Sequence, residues 1–137
     1  MKDAISLKLV LAIDALVAIA VGAMIQLSPA DFYAMNHIDI GENLNLLSEI
    51  RAPAMALLSY GILILAGIFI SRLTFTATLL ASTFYLSYGV ARIVSIGLDG
   101  WPSESLITAA VIEIVLGLAS LFCLWKYANV PNLGEQQ

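Results

Sequence analysis

The run APAMALLSYGILILAGIFI, Ala52–Ile70, contains no charged side chain. As a helix it spans about 28 Å, close to the ~30 Å hydrocarbon thickness of a bilayer. Only Ser71-Arg72-Leu73 separates it from a second apolar run that begins at Thr74. So short a link obliges the two helices to lie antiparallel and side by side. This pair is a helical hairpin built for lipid, and the rest of the chain follows the same plan.

Outward from that hairpin, four spans are predicted: Leu7–Leu27, Glu49–Ile70, Thr74–Gly97 and Ser103–Lys126. Each is long enough to cross at 1.5 Å per residue. The expected fold is all-α, a four-helix transmembrane bundle running up-down-up-down, with residues 1–137 as one domain. Composition agrees: 61% of the 137 residues are hydrophobic and mean hydropathy is +0.94, against an apolar share of about 45–50% in soluble domains. Four spans and their loops use up the chain. Lys2 and Lys8 ahead of an apolar run resemble a signal peptide, but Asp14 in mid-run argues against one.

The connections give direction. Ser28-Pro29 followed by Asp31 predicts a short helix in the first outer loop, with Phe32, Tyr33, Met35 and Ile38 laid on the membrane surface. Asp99-Gly100 predicts a turn, Pro102 a helix start and Ser103 an N-cap. Lys2, Lys8, Arg72 and Lys126 share one side, whereas Asp31, Asp39, Glu42, Asp99 and Glu104 share the other. The positive-inside rule then puts both termini in the cytoplasm. Trp101 and Tyr33 would mark the outer interface, and Trp125 and Tyr127 the inner one.

Five ionisable residues fall within or at the edge of the spans: Asp14, Glu49, Arg51, Arg92 and Glu113. Facing lipid at depth, each would cost about 2.5–3.5 kcal/mol on insertion scales. Helical spacing turns them inward instead. Thr78, Ser82, Tyr85, Gly89 and Arg92 form one stripe, with Tyr88 beside it; Ala109, Glu113, Gly117 and Ser120 form a second; Asp14, Ala18 and Gly22 form a third. Small residues on the same stripes permit close helix approach. Arg92 and Glu113, on neighbouring spans about one turn apart in depth, are the expected ion pair, and Glu49 can reach Arg92 from the other side. Arg51 points away from Glu49, toward headgroups or into an irregular helix start at Pro53. One carboxyl should be neutral, and Asp14, with no basic partner in view, is the choice because desolvation disfavours the charged form.

Several function classes drop out. A single cysteine, Cys123, makes no disulfide or redox pair. His37 has no metal-ligand partner at helical spacing, and Met24, Met35 and Met55 read as packing. No nucleophile with its base, metal cluster, phosphate loop or basic run for nucleic acid is present. No cofactor is expected.

Ser48-Glu49-Ile50-Arg51-Ala52, Gly89-Val90-Ala91-Arg92, Asp99-Gly100-Trp101-Pro102 and Glu113, in that order, resemble a bacterial four-helix membrane family, the domain-of-unknown-function 4345 family. The resemblance covers nearly the whole chain. It departs at Pro53 and Ala54, where the family prefers glycines. It implies the fold and the importance of Glu49, Arg51, Arg92, Asp99 and Glu113, but no substrate.

Three functions follow. The first is binding or transport of a lipid-like or small anionic ligand at an outward-facing cluster of Arg92, Glu113, Glu49 and Arg51, walled by Tyr85 and Tyr88, with the first outer loop as a lid. The second is a structural or accessory subunit of a larger membrane complex or homo-oligomer. The third is an isomerase-like membrane enzyme acting on a lipid-soluble substrate, with Glu113 transferring protons; the lack of catalytic motifs puts it last. Membrane lipids are the expected surroundings in every case.

Overall fold

The computed structural model describes the backbone of residues 2–128 and the side chains of residues 5–126. The roles expected of the Lys2 and Tyr127 side chains fall outside the described residues. Five helices follow in order: α1 (Lys2–Leu27), α2 (Pro29–Ala34), α3 (Leu44–Phe69), α4 (Ser71–Asp99) and α5 (Glu104–Ala128). α1, α3, α4 and α5 are each long and apolar enough to cross a membrane, as in a multi-pass membrane protein, and α2 is the short helix after the first span.

Local chemistry explains the boundaries. α3 starts at Leu44, ahead of the expected Glu49, because the Asn43 side chain accepts hydrogen bonds from the Asn45 and Leu46 amides and caps the helix. Pro53 therefore lies inside a continuous helix, not in its first turn. The α3–α4 link is tighter than Ser71–Leu73: Ile70 alone, in an extended conformation, closes one helix and opens the next. Thr74 Oγ1 donates to the Gly67 carbonyl at 2.8 Å, satisfying one of the acceptors a helix C-terminus leaves open. At the other end Gly100 takes φ +99°, which side chains resist, and so ends α4 after Asp99. α2 begins with Pro29 and carries Asp31 in its first turn.

Close backbone contact builds two hairpins. A Cβ on Gly22 would lie 2.8 Å from the Leu58 nitrogen, and one on Gly61 would lie 2.8 Å from the Ile19 nitrogen. α1 and α3 thus touch backbone to backbone and run antiparallel. α4 and α5 do the same where Gly117 faces Leu86 and Gly89 faces Ile114. In lipid, where apolar side chains gain little by leaving their surroundings, such approach is a main source of helix affinity.

Among the described residues, the cluster that joins the two hairpins lies at one end. Leu7, Leu11 and Ala15 of α1 pack with Ile64 of α3 and with Ala77 and Ala81 of α4, near the α3–α4 turn; Cys123 of α5 lies against them. We call this the turn end. At the opposite end, which carries α2 and the α4–α5 turn, a second cluster joins Ile25, Ile40, Ile50 and Ala54, with Phe32, Tyr33 and Leu47 packed against it. That loop-end cluster draws on α1, α2, α3 and the loop between α2 and α3, and on neither α4 nor α5.

Candidate functional site

Arg92 and Glu113 stand where the second hairpin loses its shared core. Both lie on inward stripes: Thr78, Ser82, Tyr85 and Gly89 below Arg92 are buried, as are Gly117 and Ser120 below Glu113. Arg92 Nε donates to Glu113 Oε2 at 2.6 Å, and its terminal Nη2 donates to Oε1 at 2.9 Å. This two-pronged geometry fixes both side chains and balances their charges. The Arg92 side chain is 31% exposed and that of Glu113 15%. Of five guanidinium N–H groups, two serve Glu113; the others have no partner among the described residues.

Aromatic rings adjoin the pair. Phe84 packs against Tyr60 of α3 and against Tyr85 and Tyr88 of its own helix, with centroids 4.6–5.8 Å apart. Tyr88 is 38% exposed. Tyr33, on α2, is close enough to interact electrostatically with both Tyr88 and Arg92. The surface helix therefore hangs a phenol near the ion pair, a contribution for which the sequence offered only an interface marker.

Tyr85 belongs elsewhere. It is 2% exposed, and its hydroxyl donates to the Asp14 carbonyl at 2.6 Å. Asp14 is fully buried, and its Oδ2 accepts from Ser120 Oγ at 2.5 Å. Asp14 therefore has no basic partner among the described residues, as the sequence suggested, but it is not isolated, because a hydroxyl of α5 reaches it. A hydroxyl in a helix ordinarily bonds its own preceding turn, so nothing marked Ser120 as an interhelical donor beyond its place on the Glu113 stripe.

Glu49 and Arg51 also part from Arg92. Glu49 is exposed and makes no ion pair or side-chain hydrogen bond among the described residues. The Arg51 side chain donates to the Gln26 carbonyl in the last turn of α1, and the Gln26 side chain donates back to the Arg51 carbonyl at 2.6 Å. Arg51 thus closes a helix C-terminus with a cation, a favourable placement. Gln26 was missed, although it continues the stripe of Asp14, Ala18 and Gly22 by one more step of four. Beside this clasp an open cavity of about 700 Å³ is lined by Arg51, Asp31, Glu42, Leu44 and Leu47, among others. The sequence-predicted site is therefore two sites: the Arg92–Glu113 pair with Tyr88, and an open basin at Arg51.

Among the described residues no three His, Cys, Asp or Glu side chains group as metal ligands. Comparison with curated proteins and with solved structures gives no match. Residues 6–124 match the family described as Domain of unknown function (DUF4345), and the chain belongs to that family.

Proposed function

We propose that this protein binds a lipid-like or small anionic ligand at the Arg92–Glu113 pair, between its two hairpins at the loop end. The observation that carries the reading is the state of Arg92. A charged side chain at depth is costly to leave open to lipid, yet the Arg92 side chain is nearly one-third exposed and keeps three N–H donors uncommitted among the described residues. Tyr88, Tyr60 and Phe84 supply an amphipathic wall for a ligand with an apolar body. Tyr33 brings α2 to the same place, which suits a lid. Arg51, with Asp31 and Glu42, lines a basin at the same end that suits a charged headgroup. Tyr85 supports the wall from beneath by holding α4 to α1, and Glu49 contributes charge at the rim.

Two further parts belong to this reading. The loop end faces outward and both termini lie in the cytoplasm of a bacterial cell, supported by Lys8, Arg72 and Lys126 at the turn end against Asp31, Asp39, Glu42, Asp99 and Glu104 at the loop end. Membrane lipids are the nearest source of ligand.

The alternative is a structural or accessory subunit, alone or in a homo-oligomer. The double hydrogen bond between Arg92 and Glu113 favours it, because it joins α4 to α5 without any ligand. Proton transfer by Glu113 ranks last, since both carboxylate oxygens are engaged by Arg92.

Mass spectrometry of small molecules retained through purification tests the proposal. Arg92→Leu should lose a species that wild type and Arg92→Lys keep. An identical retained set in all three removes the binding role.

A further inference from the structure

Asp14 presents a problem that the ligand reading does not address. Its carboxyl is fully buried near the middle of α1, nine residues from Ile5 and thirteen from Leu27, the ends of the spanning segment. Ser120 donates to Oδ2, while Oδ1 has no hydrogen-bond partner among the described residues. The groups around it are few. α4 brings Tyr85, whose hydroxyl is committed to the Asp14 backbone carbonyl. Thr78 and Ser82 on the same face donate to carbonyls of their own helix. α5 brings Ser120 and, at electrostatic range, Cys123. Among the described residues α3 brings no titratable group to it. Arg92 is engaged by Glu113, and among the described residues no lysine or arginine forms an ion pair with Asp14.

A carboxylate has about four acceptor positions, and one hydroxyl donor leaves it far from satisfied. Its charge, in a site this dry, costs several kcal/mol unless something neutralises it. A buried polar atom without a partner calls for a cause, and ionisable groups inside spans mark ion or proton sites by default. The described residues supply no neutralising charge beside it.

We propose that Asp14 is a buried binding site for a monovalent cation, either a proton or a sodium ion, held at Oδ1. The Ser120 hydroxyl borders the carboxylate and the Tyr85 hydroxyl sits on the backbone carbonyl of the same residue; these are the oxygen atoms a sodium ion would draw on besides the carboxylate. Asp14 comes from the first hairpin, and Ser120 and Tyr85 from the second, so the site occupies the seam between them. Its occupancy bears on how firmly the hairpins hold together.

The test uses the full chain in detergent, wild type and Asp14→Asn. Two signals are read across pH 6–9, with and without sodium chloride, using potassium chloride to hold ionic strength constant. The first is covalent addition of dicyclohexylcarbodiimide, an apolar reagent for protonated carboxyls, located by peptide mass mapping. The second is the thermal unfolding midpoint. Reagent added at Asp14 and falling at least tenfold as pH rises, unchanged by sodium, identifies a proton. Sodium suppressing the addition, or raising the wild-type midpoint and not that of Asp14→Asn, identifies sodium. For a bound proton the wild-type midpoint falls with rising pH more steeply than the variant's. The Asn variant keeps the shape of the side chain without its charge, so it should fold. Failure of both signals together, with no addition at Asp14 and wild type tracking the variant in pH and sodium, overturns the proposal.

Discussion

Breaking the Arg92–Glu113 pair should cost unequal amounts from its two ends. Arg92→Met leaves Glu113, 15% exposed, as a carboxylate stripped of two charge-assisted hydrogen bonds. Each such bond is worth about 1.5–3 kcal/mol; with the pair partly open, the low end applies, giving about 3 kcal/mol. Glu113→Gln leaves Arg92, which is 31% exposed, has a long stem and can turn its charge toward the boundary. Gln still offers one acceptor oxygen, so about 1–2 kcal/mol is expected on the same per-bond scale. Combining the two removes the stranded charge, so the double variant should be cheaper than the sum of the singles by about 1–2 kcal/mol, within the range seen for contacting residues. Reversible unfolding in mixed detergent micelles, fitted for all four proteins, measures the cycle. Additivity within about 0.5 kcal/mol, the behaviour of independent sites, would refute the coupling. Glu113→Gln costing more than Arg92→Met would refute the exposure argument.

Other consequences are simpler to check. Gly117→Val should separate α4 from α5 and cost about 2–4 kcal/mol, in the upper range for overpacking and backbone displacement, because even its Cβ would meet the Leu86 backbone at 2.8 Å; Gly97→Ala, with open space around it, should be nearly neutral in the same unfolding assay. Asn43→Ala should cost about 1 kcal/mol through loss of a cap, with faster amide exchange at Asn45 and Leu46. Gln26→Ala should raise proteolytic nicking between α2 and α3, since it removes one half of the clasp with Arg51.

The spans were legible because lipid imposes a crude requirement: length and apolarity, which Ala52–Ile70 displays without interruption. The inward stripes were legible for a related reason. Charges and small residues at steps of three and four have to share a face, and Asp14, Ala18, Gly22, Thr78, Ser82, Gly89 and Gly117 are all buried. Arg92 and Glu113 could be matched because an antiparallel neighbour relation and similar depth leave few choices. What stayed hidden depends on rotation and tilt. A rotation of some tens of degrees, less than the step between adjacent helix residues, decides whether Glu49 meets Arg92 or faces outward, and hydropathy carries no such angle. Arg51 found a backbone carbonyl, a partner present at every residue and so marked by none. Asn43 was readable as a cap, but the apolar run starting at Ala52 drew the boundary toward itself.

The division of the core says most about what kind of device this is. At the turn end, α1, α3 and α4 share fully buried side chains, and Thr74 bonds across the turn. Midway, Tyr85 and Ser120 tie the second hairpin to Asp14 by two hydrogen bonds. Beyond them the loop-end cluster belongs to the first hairpin, α2 and the loop that joins α2 to α3. The two hairpins are thus anchored at one end, pinned by polar contacts at the middle and without a shared hydrophobic cluster at the other. The half-buried ion pair and the phenol of Tyr33 sit in that last region. A bundle built only to fill space would continue its apolar core to both ends, since nothing in lipid favours a polar, partly open half. The middle pin holds an unsatisfied carboxyl oxygen, so the same interaction that sets the hairpin spacing is also sensitive to a small cation. A ligand at the loop end and a cation at Asp14 would act on one seam, and each would then alter the affinity for the other by the same factor, as reciprocal linkage requires.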